Sequence, residues 1–406
     1  MASITEKSDS EDTAKVALWN NPKARALVFQ VLLIGLILWS GWYMYSNLQA
    51  NLERQNIASG FGFLNTTAGF GIIQALVPYS ETSTFGTVFI VGLLNTILVS
   101  VIGIFFATML GFLLGISRLS HNWVISKLAT VYIETLRNIP LLLQIFFWYF
   151  AVLRSVPGKR DKWSLLDSFH LNIMGFHAPK PIFEAGSSFV VYAVIAGIIA
   201  SFFIKRWSTK RQMETGQTFP VLWTSLGLII GIPLVVFFAM GMPMHLDYAL
   251  FKDTGSRLRQ GFQAGHGMVL IPEFLALLLA LSMYTATFIA EIVRAGILAV
   301  SHGQTEAASA LGLRSGMTLR LVVIPQALRV IIPPLTSQYL NLIKNSSLAV
   351  AIAYPDLVSV FAGTTLNQTG QAVEIIIMTM LVYLFLSLVT SMFMNWYNAH
   401  MALVDR

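Results

Sequence analysis

Glu134 and Arg137 stand three residues apart, as do Glu291 and Arg294, each pair beside a long apolar run. On a helix this spacing puts opposite charges on one face, where they neutralise each other. Such pairs either hold a helix end at a membrane interface or act as a gate. Lys344-Asn345-Ser346-Ser347 interrupts another apolar run, and Asn138, Pro140 and Gln144 interrupt a third. Amide, hydroxyl and ammonium groups at a helix break can steady the break or coordinate the carboxylate and ammonium of a zwitterion. We expect these two interruptions to face each other across a solute path. The remaining group is TEAASALGLRSGMTLRLVVIP, residues 305–325, rich in small and polar side chains between two apolar runs.

Other chemistries find no support. The chain has no cysteine, which removes disulfides, thiolate metal sites and cysteine nucleophiles. Its seven histidines are scattered, and His302 with Glu306 reads as one face of a short helix rather than a ligand pair, so no metal is expected. No nucleophile-elbow pattern occurs. There is no phosphate-cradling G-x-x-x-x-G-K-[ST] run; Gly312 to Thr318 holds two glycines but no lysine. Any ATP must therefore be bound and hydrolysed elsewhere, and the chain is not expected to be an enzyme.

The elements that position these groups are membrane helices. A hydrophobic fraction of 55%, a charged fraction of 11% and a mean hydropathy of +0.69 lie outside the range of water-soluble domains. Apolar runs of helix-spanning length, without period-two alternation, favour a helix bundle over a barrel. Spans are expected near 26–45, 88–116, 128–153, 188–204, 221–241, 268–292, 327–353 and 374–396. The fourth sits at the lower length limit for hydrocarbon, and if it failed to cross, the fifth would have to fail too. The seventh should be kinked or broken by Pro333, Pro334 and the Lys344 cluster. The net charge of +7 comes from scattered residues, with no basic run beyond two, so loops rather than nucleic acid account for it. With the N-terminus inside, the cytoplasmic segments hold fifteen Lys and Arg and the outer ones nine, which favours both termini cytoplasmic. The first 25 residues do not read as a signal peptide. The expected organisation is a polar tail, 1–24, and one membrane domain, 25–406. Two outer loops, 154–187 and 242–267, should be ordered or partly ordered.

Residues 301–325 are legible in more detail. Ser301-His302-Gly303-Gln304 has capping-box spacing, and the alanine-rich run after it favours helix. Gly312 falls where a left-handed C-terminal cap is wanted, Ser315 can cap a second helix, and Pro325 should interrupt that helix. The unit is a short helix, a glycine turn and a helix entering the membrane. It can be an amphipathic connector or a surface for another protein.

The same stretch resembles the EAA motif of ABC importer permeases: Glu306-Ala307-Ala308, then Gly312, then Val322, Ile324 and Pro325 at the motif's spacing. Val and Ile stand where Ile and Leu are usual. TATFIAEIVRAGILAVSHGQTEAASALG (285–312), PQALRVIIPPLTSQYLNLIKNSSL (325–348), NTILVS (95–100) and YIETLRNIPLLLQIFFWYF (132–150) are similar to permeases of polar amino acid ABC importers. The extra two-span segment near 154–267 resembles the longer permeases of the general L-amino acid importer, Q-type subunit. The resemblance implies an all-α polytopic bundle of about eight transmembrane helices with the type I ABC importer permease fold. It further implies a bacterial inner-membrane protein that imports L-amino acids with a second related permease, two ATPase subunits and a periplasmic amino-acid-binding protein. ATP and Mg would then reside in the ATPases, with no cofactor on this chain. Glu306, Ala307, Ala308, Gly312 and Pro325 would transmit ATPase closure. A secondary transporter driven by an ion gradient is the alternative, but it would need mid-span acidic residues, which the spans almost lack. A membrane-embedded enzyme would need convergent His, Asp or Ser at mid-depth.

Overall fold

The computed structural model describes residues 22–54, 59–252, 260–263 and 265–401. Nearly all of the expected polar tail lies outside them. In chain order the membrane helices are α1 (Pro22–Arg54), α2 (Phe85–Arg118), α3 (Trp123–Asn138) with α4 (Leu141–Phe146), α5 (Ser187–Thr215), α6 (Val221–Leu226) with α7 (Ile232–Ala239), α8 (Pro272–Leu298), α11 (Ile324–Asn345) and α13 (Ala372–Met401). Two short helices, α9 (His302–Ala310) and α10 (Ser315–Thr318), lie between α8 and α11, and α12 (Leu366–Thr369) precedes α13.

The centre of the bundle is α2 against α8. Small residues on α2 let the two backbones approach: a Cβ on Gly111 would stand 2.5 Å from Ile289 Cγ2, and one on Gly115 2.6 Å from the Ala290 carbonyl. Gly103 meets Leu278, Gly111 meets Ile289 and Gly115 meets Val293, so the two helices run in the same direction. The chain must return between them, and the third expected span does so, though not as one helix. It bends by 106° between Asn138 and Leu141. Pro140 has no N–H to give the Leu136 carbonyl, and the Gln144 side chain supplies it instead, donating to Leu136 O (2.7 Å) and Ile139 O (3.0 Å). Before the bend, Tyr132 reaches Met283 O (3.3 Å); after it, Tyr149 reaches Glu273 at the start of α8 (2.8 Å). The bent pair therefore climbs back along α8. Seven helices among the described residues are long and apolar enough to span a membrane, and this pair makes the eighth.

Two other expectations change. The fourth span is not short: α5 continues for 29 residues through Lys205-Arg206 and Gln212-Met213, good helix formers, to a left-handed Gly216. It forms a hairpin with α6–α7, Gly197 set against Leu228, so both cross or neither does. The seventh span stays helical through Pro333 and Pro334; its regular part ends at the Lys344 cluster, where Ser346–Ile352 tightens to a 3-10 helix.

The two expected outer loops build a β-cap. Strands β1 (Trp163–Leu165), β2 (Phe169–Asn172), β3 (Gly175–Ala178) and β8 (Met268–Leu270) form one antiparallel sheet. Strand β4 (Lys180–Phe183) pairs with β5 (Met244–Asp247), and β6 (Phe251–Lys252) with β7 (Gly261–Phe262). Strand β8 leads directly into α8, whose 27 residues put cap and α9 about 40 Å apart on opposite ends of the bundle. No described side chain of α1 is buried.

Candidate functional site

Helix α9 projects from the end opposite the cap. Of its residues only Ala308 is buried; Glu306 is 73% exposed, and Leu311, just beyond, 81%. Its C-terminus closes as a Schellman motif. Gly312 takes φ +76, its N–H donates to Ser309 O (2.9 Å), and Leu313 N–H donates to Ala308 O (3.1 Å). The expected capping box is not made: Ser301 is the N-cap, but its side chain makes no capping bond. Ser315 is likewise the first residue of α10 rather than its side-chain cap. Pro325 does not end the second helix. A π-helical stretch, Leu319–Val323, joins α10 to α11, and the wider turn seats Pro325 in the first turn of α11. Gln326 Nε2 donates to Gln304 Oε1 (3.3 Å), tying α9 to that continuous helix, and His302 faces Glu306 (3.3 Å) along α9.

Above α9, charge is shared both within a helix and between helices. Arg294 pairs with Glu291 on its own helix, as the spacing predicts. Glu134 does not pair with Arg137. Arg118, at the end of α2, donates to Glu134 on α3 (3.0 Å) and Glu291 on α8 (2.8 Å), while Arg137 lies over the Phe288 ring at 5.2 Å. The approach of α2 and α8 brings Arg118 within reach of both acids, and one guanidinium thus joins three helices.

The polar residues expected along a path do not share one cavity. Asn138 donates to Glu134 O (2.7 Å), and Gln144 is spent on the bend. Ser346 is buried and donates to Ile343 O (2.7 Å), and Ser347 donates to Lys344 O (2.7 Å). Lys344 and Ser347 line an open, mainly apolar groove of about 510 Å³ beside α13, with Thr379 and Tyr383. Asn345 turns the other way. It lines a cavity of about 340 Å³ between α8 and α11 with Tyr284, Thr285, Phe288, Gln338 and Asn341. Tyr284 and Thr285 come from the middle of α8. Sequence reasoning missed Gln338 and Asn341, although with Asn345 they repeat at i, i+3 and i+7, the spacing of one helix face. Asp356 was missed too. It is fully buried beyond the seventh span and caps the next helical turn through Ser359 N–H (2.9 Å).

This arrangement holds one protruding, C-capped helix hydrogen-bonded to the first turn of a membrane helix, and a cavity lined by amide and hydroxyl groups between the middle of α8 and the far end of α11. Comparisons with known proteins identify the family. A family model described as the binding-protein-dependent transport system inner membrane component matches residues 190–403. The general L-amino acid transport system permease protein AapQ of Rhizobium johnstonii is 53% identical over 389 residues, covering 95% of this chain and 94% of its own. The putative amino-acid ABC transporter permease protein YhdX of Escherichia coli K12 is 51% identical, covering 98% of this chain and all of its own. BztB of Rhodobacter capsulatus, a glutamate/glutamine/aspartate/asparagine transport system permease protein, is 42% identical over 94% of this chain and 95% of its own. The chain belongs to the inner-membrane permeases of binding-protein-dependent ABC transport systems.

Proposed function

We propose that this permease moves L-amino acids from the periplasm to the cytoplasm across a bacterial inner membrane. Energy comes from two separate ATPase subunits, which hold the ATP and Mg. A second, related permease completes the membrane unit, and a periplasmic amino-acid-binding protein delivers substrate. Both termini lie in the cytoplasm, as does α9.

The observation that carries this reading is α9. An isolated nine-residue helix would be marginal in water. Here it is closed by a complete C-terminal motif, presents Glu306 and Ala307 outward, and is bound to α11 through Gln304 and Gln326. That is the form of a lever that docks into a partner. Glu306, Ala307 and Ala308 form its body, Gly312 its end and Pro325 its junction with the membrane helix. Motion of α9 would be passed to α11 and so to the cavity lined by Gln338, Asn341 and Asn345. Neutral amide and hydroxyl groups there suit a zwitterion of variable side chain. Lys344 and Ser347 face the separate groove beside α13, while Asn138, Gln144 and Ser346 steady the helix breaks through bonds to backbone carbonyls. The charged cluster of Arg118, Glu134, Glu291 and Arg294, with Arg137 alongside, holds the α9 end of α2, α3 and α8 together.

The absence of native cysteine makes the test direct. Ala307→Cys in the full complex, treated with a bifunctional thiol–amine reagent, should cross-link to an ATPase subunit. The same reconstituted complex should take up L-amino acids only when ATP is supplied. Uptake driven by an ion gradient without ATP would instead establish the secondary-transporter reading.

A further inference from the structure

The cap, with Ile73, lines a half-open cavity of about 480 Å³ that the transport reading leaves without a role. It is well separated from α9 and lies at the other end of α8 from it. A wall of stacked rings bounds it: His177 lies on Phe262 at 3.7 Å between centroids, and Lys162 sits over Phe262 and Phe251 at 5.9 and 4.8 Å. His177 lines the cavity and is only 3% exposed.

The hydrogen bonds fix what His177 can offer. Its Nε2 lies 3.3 Å from Asn172 Oδ1, which can only accept and also accepts from Met174 N–H (2.9 Å). The proton is therefore on Nε2, and Nδ1 is left as a bare acceptor. That atom has almost no accessible surface and no partner, so a donor in the cavity reaches it once the imidazole shifts slightly toward the space it lines. An unsatisfied acceptor of this kind costs free energy until a donor fills it. The same cavity is lined by Lys159, for which no ion-pair partner is present among the described residues, and by the amides of Gln260 and Gln263. It thus presents an acceptor for an ammonium, a cation for a carboxylate, and neutral amides beside apolar Met174 and Val269. Its volume falls in the range of small-molecule sites.

Its position matters as much. Ile73 and Ile271 line this cavity and also a smaller one of about 190 Å³, whose other walls include Glu273, Pro355 and Ser359 at the end of the bundle. Strand β8 runs from the cap cavity straight into α8.

We propose that the cap is a receiving site for a free α-amino acid, held by its ammonium on His177 Nδ1 and its carboxylate on Lys159 before it enters the bundle. The ligand class rests on the amino acid transport reading; the site itself is additional to it. A monocarboxylate would leave the imidazole acceptor unfilled, and an amine would leave Lys159 unpaired.

The test uses the full-length permease in nanodiscs, with L-glutamine as probe and saturation-transfer NMR as readout. Butyramide, which lacks both α-groups, is the control. Lys159→Gln, at an exposed position that folding tolerates, and His177→Phe, which keeps the ring stack, should each weaken L-glutamine binding about tenfold or more, the loss expected for a charge-assisted hydrogen bond. Lys210→Gln, which removes an exposed charge on α5 that lines neither cavity, should leave this signal in place. An affinity unchanged by both cap substitutions, lost with Lys210→Gln, or matched by butyramide overturns the proposal. ATP-driven uptake of L-glutamine by the reconstituted complex is measured alongside. Normal uptake with no cap binding rejects the receiving site and keeps the transport reading, whereas absent uptake rejects the reading itself.

Discussion

Gly312 is the most informative residue to change. Its φ of +76 lies in the left-handed region, and nothing stands within 4 Å of the Cβ a substitution would add. The cost of a side chain is thus backbone strain alone, about 1–2 kcal/mol for an L-residue in that region and more for a β-branched one. A penalty of that size shifts a local equilibrium by about 5- to 30-fold. It falls on a helix of nine residues whose end depends on the two bonds that Gly312 and Leu313 make to Ser309 and Ala308. Gly312→Val should therefore fray α9 while the membrane helices insert normally. Gly312→Asn, which tolerates the left-handed region, should lie close to wild type. The assay is the ratio of amino acid uptake to ATP hydrolysis in proteoliposomes of the full complex, with yield and monodispersity as controls. We expect the ratio to fall several-fold for Val and little for Asn. Equal ratios for Val and wild type, or equal loss for Val and Asn, would refute the reasoning.

Arg118→Met removes the only group joining Glu134 to Glu291 among the described residues, while Arg294 still neutralises Glu291. Thermal unfolding in detergent should show a loss of about 1–3 kcal/mol, and Arg137→Met, which leaves the bridge intact, should cost less. Gly115→Ala would place a Cβ 2.6 Å from the Ala290 carbonyl, a backbone atom that cannot swing aside; the α2–α8 contact should lose about 1–3 kcal/mol, seen as a lower melting temperature. Burial holds the His177 imidazole down to about 4, so its folded-state value lies below the unfolded one of about 6.5. The stability it confers is complete above that unfolded value and is lost as pH falls towards 4. The protection factors of residues 169–178, corrected for the intrinsic pH dependence of exchange, should fall across that window in wild type, and His177→Phe should flatten the dependence.

The limits of the sequence are visible in particular residues. Gly312 was legible because a left-handed cap has a one-residue signature. The 305–325 segment was legible because its spacing is local. The i, i+3 rule found Glu291–Arg294 but gave the wrong partner for Glu134. Which arginine reaches that acid depends on how closely α2, α3 and α8 approach, and no helix-surface rule contains that. Pro140 advertised a break, but not that Gln144 would take over the missing bond and let the chain turn by 106°. Pro333, Pro334 and Pro325 advertised breaks that neighbouring turns absorbed.

By itself, then, the sequence determined that the chain is a helical membrane protein, where most of its spans lie, and that a short capped helix stands between the sixth and seventh. These follow from composition, apolar run length and bonds between residues a turn apart. Only the tertiary structure decided the partners of Arg118, the β-cap formed from two loops some sixty residues apart, the cavity shared by Thr285 and Asn341, and the bare acceptor on His177. Each of these joins groups far apart in the chain, and what brings them together is the burial of apolar and small-residue faces, which fixes a distance only once every helix has its neighbours.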